Sequence, residues 1–415
     1  MQLGAPGVLI AGGWRRLGRR AVFTAGAYLA AAIVIVLTFF VLKGRVGPHV
    51  LQGLLGYFFI ASTTAGLEPG TVKAAALANP KGRTDVLAIT AVSALKGLAA
   101  APIVALVWRF SDPSIGLATL AWTAGLCVAG FAATDLRVMF DLDGRHATAI
   151  WIKQGSLATG LAVVAVMTWL GAPLALGVGV STALRLIFAA AAAAVAATTQ
   201  RAHGENRERP LAREIRRLLA ERRWVALAGA SVVAAVSGGA DRVFGLRYLS
   251  AEAWSGYYLT FEVFSKFWFI PYLLGPIVFA RRVSDGPGGA FPGQAERLTL
   301  GAGVLFTAAV AVLVVLAPRA LTASLRLPIG APTLAFAAAI VVSSITQLRV
   351  LGLQAAGAAR SAFAAMGLSA IVSTLLFLAG ARVFGASGLM ATWLIKSILE
   401  LAAITLAARL ARRVA

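Results

Sequence analysis

The sequence predicts an all-α polytopic membrane protein, with about twelve transmembrane helices in two parallel-repeat six-helix bundles around a central cavity. The first observation is composition: 59% of the 415 residues are hydrophobic and 13% are charged, whereas soluble chains are about half apolar and about a quarter charged. The second is patterning, because the apolar residues form blocks of roughly 20 or more, long enough to cross a bilayer as helices. The third is a similarity between the two halves of the chain.

Twelve apolar blocks are predicted to span the membrane. They cover residues 21–42, 50–67, 86–108, 115–135, 148–170, 173–198, 224–246, 254–280, 298–317, 331–353, 361–381 and 386–408. The second, seventh and eighth blocks are interrupted by Gly, Pro or charged residues, which weakens their helical pattern. Because twelve is an even number, both ends of the chain are expected on the same side of the membrane.

A basic loop, residues 199–223, separates two groups of six spans. The predicted units are an N-terminal tail (1–20), a first bundle (21–198), this loop and a second bundle (224–410). Within the loop, Pro210 can start a short helix with four apolar residues on one face: Leu211, Ile215, Leu218 and Leu219. Such a helix favours the cytoplasmic membrane surface. Docking of a partner protein is the alternative.

The two halves share short motifs at similar separations. The segment "DLRV" (135–138) ends the fourth span and "QLRV" (347–350) ends the tenth, and a Leu, a Gly and an Arg follow each of them. The turn "GPHVLQG" (47–53) corresponds to "SAEAWSG" (250–256). Six spans separate equivalent points, so the halves run in the same direction across the membrane, which is a transporter architecture. Chance similarity between apolar sequences is the alternative.

Loop cations predict the orientation. The side that carries both tails has 23 Lys and Arg residues in its loops and the opposite side has 7, so the positive-inside rule predicts cytoplasmic termini in a plasma-membrane protein. The same rule accounts for the net charge of +22 without a nucleic-acid partner.

The loops contain no recognisable enzyme chemistry. The single cysteine, Cys127, allows neither a disulfide nor a Cys-based metal site within one chain. The three histidines, His49, His146 and His203, fall in separate loops, so no metal site is predicted. A phosphate-binding P-loop motif is also absent from the sequence. We therefore predict a transporter rather than an enzyme.

Charged residues within or against the spans are the main functional signal, because Arg or Lys at the bilayer centre costs about 2.5–3.5 kcal/mol. Eight cations and four acids fall in this zone: Lys96, Arg137, Lys153, Arg185, Arg242, Lys266, Arg349, Lys396, Asp135, Asp241, Glu262 and Glu400. Of these, Arg137, Arg185 and Arg349 are expected to reach the surface by snorkelling from helix ends. The four lysines are harder to explain in this way.

Two interpretations of these charges stay open. Glu262 with Lys266, and Lys396 with Glu400, are spaced to share a helix face, so helix packing alone is one interpretation. The excess of cations favours a wet cavity for an anion instead, and a pyrophosphate suits several Lys and Arg donors. The predicted ligand-binding residues are Lys96, Lys153, Lys266, Lys396 and Arg242. The residues predicted to orient them, couple an ion or gate the cavity are Asp241, Glu262 and Glu400.

Several motifs of the seventh and eighth spans occur together: Asp241-Arg242, Ser250-Ala251-Glu252, Gly256-Tyr257, Pro276 and Arg281-Arg282. With the turn Gly47-Pro48 and the loop pair Gly144-Arg145, this combination resembles polysaccharide-export flippases of the multidrug/oligosaccharidyl-lipid/polysaccharide (MOP) superfamily. The chain departs from that pattern at Glu68 and Pro69, where smaller or apolar residues are expected.

The resemblance implies a flippase that moves a polyprenyl-pyrophosphate-linked oligosaccharide from the inner to the outer leaflet for cell-surface polysaccharide biosynthesis. It implies a monomer that works with membrane lipids and polysaccharide polymerase machinery, with no cofactor other than an H⁺ or Na⁺ gradient. Tyr258, Trp268 and Tyr272 would then stack on sugar rings, with packing or interface anchoring as the alternative. The second function left open is a multidrug or organic-cation antiporter, whose cavity should be net acidic.

Overall fold

The computed structural model describes residue 26 and residues 28–42, 45–78, 85–143, 145–202, 210–285, 291–316 and 330–414. Every regular element in this part of the chain is a helix. The predicted N-terminal tail (1–20) and Gly144 lie outside the described residues, as do the side chains of Pro276, Arg281 and Arg282.

The first half supplies the six spans predicted for it. Its helices are α1 (Tyr28–Leu42), α2 (Pro48–Gly66), α3 (Thr71–Ala78), α4 (Val86–Ser111), α5 (Leu117–Ala121), α6 (Thr123–Leu142), α7 (His146–Ile150), α8 (Ser156–Trp169) and α9 (Leu174–Ala202). The second span consists of α2 and α3, and the fourth of α5 and α6. A π-helical segment, Trp151–Gly155, joins α7 to α8 within the fifth span.

The second half supplies the other six spans. Its helices are α10 (Leu211–Ala220), α11 (Arg223–Tyr248), α12 (Ala251–Ser265), α13 (Phe269–Asp285), α14 (Phe291–Leu316), α15 (Ala331–Ala355) and α16 (Ala359–Val414). A 3₁₀ segment, Lys266–Trp268, joins α12 to α13 within the eighth span. The eleventh and twelfth spans both belong to α16, and the chain reverses between them at Gly385, whose φ of 60° and ψ of −140° favour glycine.

The outer surface of the bundle is apolar. Nine helical stretches in the described residues are long and apolar enough to cross a membrane, one of which contains both the eleventh and twelfth spans, and α1 is a shorter apolar helix. Large apolar side chains are exposed on the lipid-facing surfaces of several spans, among them Ile103, Leu106, Leu305, Leu316 and Leu368. The protein is therefore a multi-pass helical membrane protein, as predicted.

Two spans extend beyond their predicted ends. The fourth was expected to end at residue 135, yet α6 continues to Leu142, and its Arg137 and Asp141 form an ion pair. Likewise the second span was expected to end at residue 67, yet α3 extends it to Ala78 and carries Lys73. Charged residues suggested loops at both places, whereas in the structure these side chains face the protein interior.

The loop between the halves contains the amphipathic helix expected after Pro210. The apolar face of α10 packs through Ile215 and Leu218 onto a cluster that includes Val86 and Ala196 of the first bundle. Leu211 and Leu219 of the same helix remain exposed. Thus one part of the predicted apolar face packs on the protein and the other does not.

The two halves meet where α2 packs against α11 and α12. Successive spans alternate in direction, so the loops after even-numbered spans lie on one face, which we call the tail side. Near the opposite face, a buried aromatic cluster packs within the second half: Trp254, Tyr257, Tyr258, Phe261, Phe336 and Trp393. Their rings contact one another at centroid distances between 5.1 and 6.3 Å.

Candidate substrate cavity

A cavity of about 360 Å³ lies between the two halves. Its volume falls within the roughly 300–1,000 Å³ typical of small-molecule sites. Four spans of the first half line the cavity: the first, second, fourth and fifth. Five spans of the second half also line it: the seventh, eighth, tenth, eleventh and twelfth. Both bundles thus contribute to a single central site.

The cavity lies in the tail-side part of the membrane region. Its lining includes the tail-side ends of the second, fourth and tenth spans, at Gly66, Leu142 and Gln354. Phe261 and Trp393 of the aromatic cluster form its other end. The cavity therefore extends towards the tail side, and the packing of α1 and α2 against α12 separates it from the opposite face.

Charged side chains line the cavity with an excess of cations. The six cations and four acids are Lys73, Arg137, Lys153, Arg242, Lys266, Lys396, Glu68, Asp141, Glu262 and Glu400. Neutral hydrogen-bonding groups also line it, including Gln154, Ser343, Gln347 and Gln354. This set of side chains can bind an anionic group together with hydroxyl-bearing groups.

The second half contributes the two pairs predicted from helical spacing. Lys266 Nζ donates to Glu262 Oε2 at 2.7 Å, and Lys396 Nζ donates to Glu400 Oε2 at 2.9 Å. Glu400 also accepts a hydrogen bond from Ser237 Oγ at 2.6 Å, which ties the twelfth span to the seventh. Both lysines are therefore neutralised within their own helical turn.

The first half contributes two further pairs near the tail side. Lys73 Nζ pairs with Glu68 and donates to Gln354 Oε1 of the other half at 3.2 Å. Arg137 Nε lies 3.4 Å from Asp141 Oδ2, and Asp141 also contacts the His146 ring. The Lys73 contact links the two bundles across the cavity wall.

Lys153 is the exception among the cavity cations. No carboxylate forms a salt bridge with it within the described part of the chain, although its side chain is only 5% exposed. Its Nζ lies 5.6 Å from the centroid of the Tyr272 ring, and Arg137 Cζ lies 5.5 Å from the same centroid. The aromatic face partly stabilises both cations.

A tryptophan ring packs against a glycine within the π-helical segment that carries Lys153. A Cβ at Gly155 would lie 2.6 Å from the Trp151 ring, so glycine allows that ring to pack against the helix. A π segment interrupts the regular helical register, and such segments often occur at functional sites. Here it coincides with the unpaired lysine.

Asp241 and Arg242 form a buried network at the far end of the cavity. Arg242 lines the cavity, with its Nε 3.4 Å from Asp241 Oδ1, whereas Asp241 is fully buried behind it. The Tyr257 hydroxyl donates to Asp241 Oδ2, and Trp393 Nε1 donates to the same oxygen at 3.0 Å. This carboxylate thus joins the seventh, eighth and twelfth spans under the aromatic cluster.

The structure brings most of the predicted site residues to one cavity. These are Lys153, Arg242, Glu262, Lys266, Trp268, Tyr272, Lys396 and Glu400. Tyr258 and Asp241 do not line it, because Tyr258 is buried within the aromatic cluster and Asp241 is buried beneath that cluster. Lys96 also lies outside: its Nζ donates to the Pro69 carbonyl oxygen at 3.1 Å and to Thr71 at 2.9 Å, and it lies 3.9 Å from the Trp224 ring centroid.

Four lining charges were not among the predicted site residues: Glu68, Lys73, Arg137 and Asp141. Arg137 and Asp141 have the same four-residue spacing as the two recognised pairs, so a longer fourth span would have identified them. Glu68 was noted only as a departure from the family pattern. The expected snorkelling is wrong for Arg137, which is buried against the cavity, and Arg349 instead pairs with Glu296 at 3.0 Å.

The fold is the twelve-helix fold of MOP-superfamily transporters, on the basis of comparison with solved structures. A MATE transporter of Vibrio cholerae, VcmN, has a TM-score of 0.67 at 13% identity, over 97% of this chain and 98% of that one. The lipid II flippase MurJ, in an inward closed conformation, has a TM-score of 0.62 at 10% identity, over 94% of this chain and 87% of that one.

A MOP-superfamily transporter from Pyrococcus furiosus has a TM-score of 0.60 at 11% identity, over 95% of each chain. No family model and no curated protein matches the sequence. At these identities the likeness establishes the fold, and the choice of substrate depends on the cavity itself.

Proposed function

We propose that this protein is a secondary flippase that moves a polyprenyl-pyrophosphate-linked oligosaccharide from the inner to the outer leaflet for cell-surface polysaccharide biosynthesis. The observation that carries the proposal is the cation excess of the cavity, and in particular the unpaired Lys153. Burying an uncompensated cation is costly, and an anionic ligand would remove that cost when it binds. MurJ, which has the same fold, is a lipid II flippase.

In this proposal the pyrophosphate binds between the first-half cations. Lys153 and Arg137 approach the same Tyr272 ring, so both can donate to one compact anion beside it. Lys266, Lys396 and Arg242 can donate further hydrogen bonds from the second half, and Glu262, Glu400 and Asp241 hold those cations in place or couple transport to an ion gradient.

The saccharide would occupy the wet part of the cavity while the prenyl chain stays in lipid between the halves. Trp268 and Tyr272 line the cavity and offer aromatic faces to sugar rings, and the neutral amides and hydroxyls can bond to sugar hydroxyls. The protein would act as a monomer in the plasma membrane, with cytoplasmic termini, and supply polysaccharide polymerase machinery. The tail-side cavity would then be the loading state of an alternating-access cycle.

The second candidate is a multidrug or organic-cation antiporter. Four carboxylates and several aromatic rings line the cavity, and aromatic faces attract organic cations. Several neighbours in fold are MATE transporters, which suits this function equally well. Against it, a lysine or arginine already engages each cavity carboxylate.

The two candidates can be separated by binding to the purified protein. We would measure the affinity for a polyprenyl pyrophosphate and for ethidium with the wild type, Lys153→Gln and Glu262→Gln. Loss of one charge-assisted hydrogen bond is worth about 1.5–3 kcal/mol, so Lys153→Gln should weaken pyrophosphate binding about tenfold or more. Arg349→Gln is the matched control, because Arg349 pairs with Glu296 away from the cavity.

The flippase proposal requires that the wild type binds the pyrophosphate and that Arg349→Gln leaves this affinity unchanged. Equal pyrophosphate affinity of the wild type and Lys153→Gln would contradict it. If the wild type binds ethidium and Glu262→Gln abolishes this binding, the result would support the antiporter instead.

A further inference from the structure

The first bundle encloses an arginine that has no charge partner among the described residues. Arg185 lies near the middle of α9, is 2% exposed and does not line the central cavity. Its Nη2 reaches the Ala61 carbonyl oxygen only at 3.4 Å, and its Nε and Nη1 have no hydrogen-bond acceptor. The snorkelling expected from the sequence is therefore wrong: this guanidinium stays inside the bundle.

The groups around the guanidinium are neutral hydroxyls, and Arg185 donates a hydrogen bond to the hydroxyl of Tyr57. The hydroxyls of Tyr57 on α2 and Ser181 on α9 share a hydrogen bond beside it. The ionisable side chains that act on Arg185 are Tyr57 and Cys127, and both are neutral at pH 7 at their ordinary pKa values of about 10 and about 8.5. No described carboxylate therefore balances the positive charge.

Gly160 on α8 borders the same point. A Cβ at this position would lie 2.6 Å from Ser181 Oγ, 3.3 Å from Arg185 Cδ and 3.4 Å from the Tyr57 hydroxyl. The side chains of Tyr57, Ser181 and Arg185, from α2 and α9, thus meet at Gly160 of α8, which has no side chain. Any other residue at this position would push the Ser181 hydroxyl away from its place beside Arg185 and Tyr57.

An arginine in this position needs an anion. Guanidinium groups do not lose their proton in proteins, and an unpaired buried charge is strongly destabilising. The enclosed position excludes a lipid headgroup, and a set of N–H and O–H donors suits a small inorganic anion.

We propose that Arg185, Tyr57 and Ser181 form a binding site for a small monovalent anion of the chloride class, inside the first bundle and separate from the central cavity. The site joins α2 to α9, and the residue after Tyr57 in the chain, Phe58, lines the cavity. A bound anion would hold α2 in the position that shapes the cavity wall.

The test is the halide dependence of thermal stability. We would record the melting temperature of the purified protein in an uncharged detergent while chloride replaces gluconate at constant ionic strength. A ligand that binds only the folded state raises stability with its concentration, so the wild type should show a saturable rise of several degrees. Arg185→Gln should lose this rise.

Two further variants cover the case in which Arg185→Gln does not fold. Gly160→Ala keeps the arginine and displaces the Ser181 hydroxyl, so it should weaken the chloride dependence. Gly367→Ala, where a Cβ would meet nothing within 4 Å, is its matched control and should respond like the wild type. Arg349→Gln, which removes a paired arginine, should also keep the dependence.

A direct measurement completes the test: crystals grown with bromide should show an anomalous peak beside Arg185. A wild-type melting temperature independent of chloride, with no such peak, would overturn the proposal. So would a chloride dependence that Gly160→Ala leaves unchanged.

Discussion

At the scale of single residues, this protein compensates nearly every charge around its cavity with a close partner. Lys266, Lys396, Arg137 and Lys73 each pair with a carboxylate, and Arg242 pairs with Asp241. The spacing of the sequence could predict the pairs within one helix. It could not show that Lys153 and Arg185 have no such partner among the described residues, because that depends on how separate helices pack.

Replacing Asp241 by Asn should strongly destabilise the fold. The change leaves Arg242 without its counter-charge and weakens the contacts with Tyr257 and Trp393. Removing one member of a buried pair costs about 3–5 kcal/mol, measurable as a lower melting temperature in detergent. The double variant Asp241→Asn with Arg242→Gln should recover part of the loss. A single variant at least as stable as the double variant would contradict the pairing.

Lys153 and Lys396 should respond differently to neutralisation. Lys396→Gln leaves Glu400 with Ser237 alone and should cost about 3–5 kcal/mol of stability. Lys153→Gln removes a cation that has no carboxylate partner among the described residues. The free energy of unfolding should therefore stay level or rise, while the affinity for the pyrophosphate falls. Thermal unfolding of both variants tests this difference. If Lys153→Gln is as unstable as Lys396→Gln, then Lys153 has a packing role.

At the scale of elements, the length of the apolar blocks identified the spans but gave no sign of the π-helical and 3₁₀ segments within them. Lys153 lies in a π-helical segment and Lys266 begins a 3₁₀ segment, so two cavity lysines occur where the helix departs from α geometry. Hydrophobic blocks carry no information about such breaks. The reversal at Gly385 agrees with the gap predicted between residues 381 and 386, because a glycine and a polar residue interrupt the apolar run there.

Substitution at that reversal should be costly. Gly385→Ala forces a side chain into φ 60°, ψ −140°, a conformation that costs non-glycine residues about 1–3 kcal/mol. Gly367→Ala in the same helix meets open space and should be neutral or slightly stabilising. Melting temperatures of the two variants give the comparison. An equal effect of both substitutions would rule out the reversal as a site of backbone strain.

At the scale of the whole molecule, the cavity extends towards one membrane face only. The two-bundle architecture was predictable from the repeated motifs and the even number of spans. The closed end of the cavity was not predictable, because it depends on how side chains of separate spans meet across the two halves, such as Phe39 and Tyr258, whose ring centroids are 6.3 Å apart.

Thiol labelling tests this asymmetry. The native cysteine, Cys127, is buried, so a membrane-impermeant reagent should leave the wild type unlabelled. Ser343→Cys, which lines the cavity, should react when the reagent is added at the tail side and not at the other. Ser397→Cys, buried and outside the cavity, is the control and should stay unlabelled. Labelling of Ser343→Cys from both faces would contradict a cavity closed at one end.

In the proposed function, the cationic cavity carries a lipid-linked oligosaccharide across the membrane. The most direct measurement is the leaflet distribution of this intermediate in cells lacking the gene, with outer-leaflet exposure measured separately from total amount. We expect the intermediate to accumulate on the cytoplasmic leaflet and the wild-type gene to restore its exposure, whereas Lys153→Gln at equal protein level should not restore it. An unchanged exposed pool, together with increased sensitivity to cationic drugs, would contradict the flippase proposal and favour the antiporter.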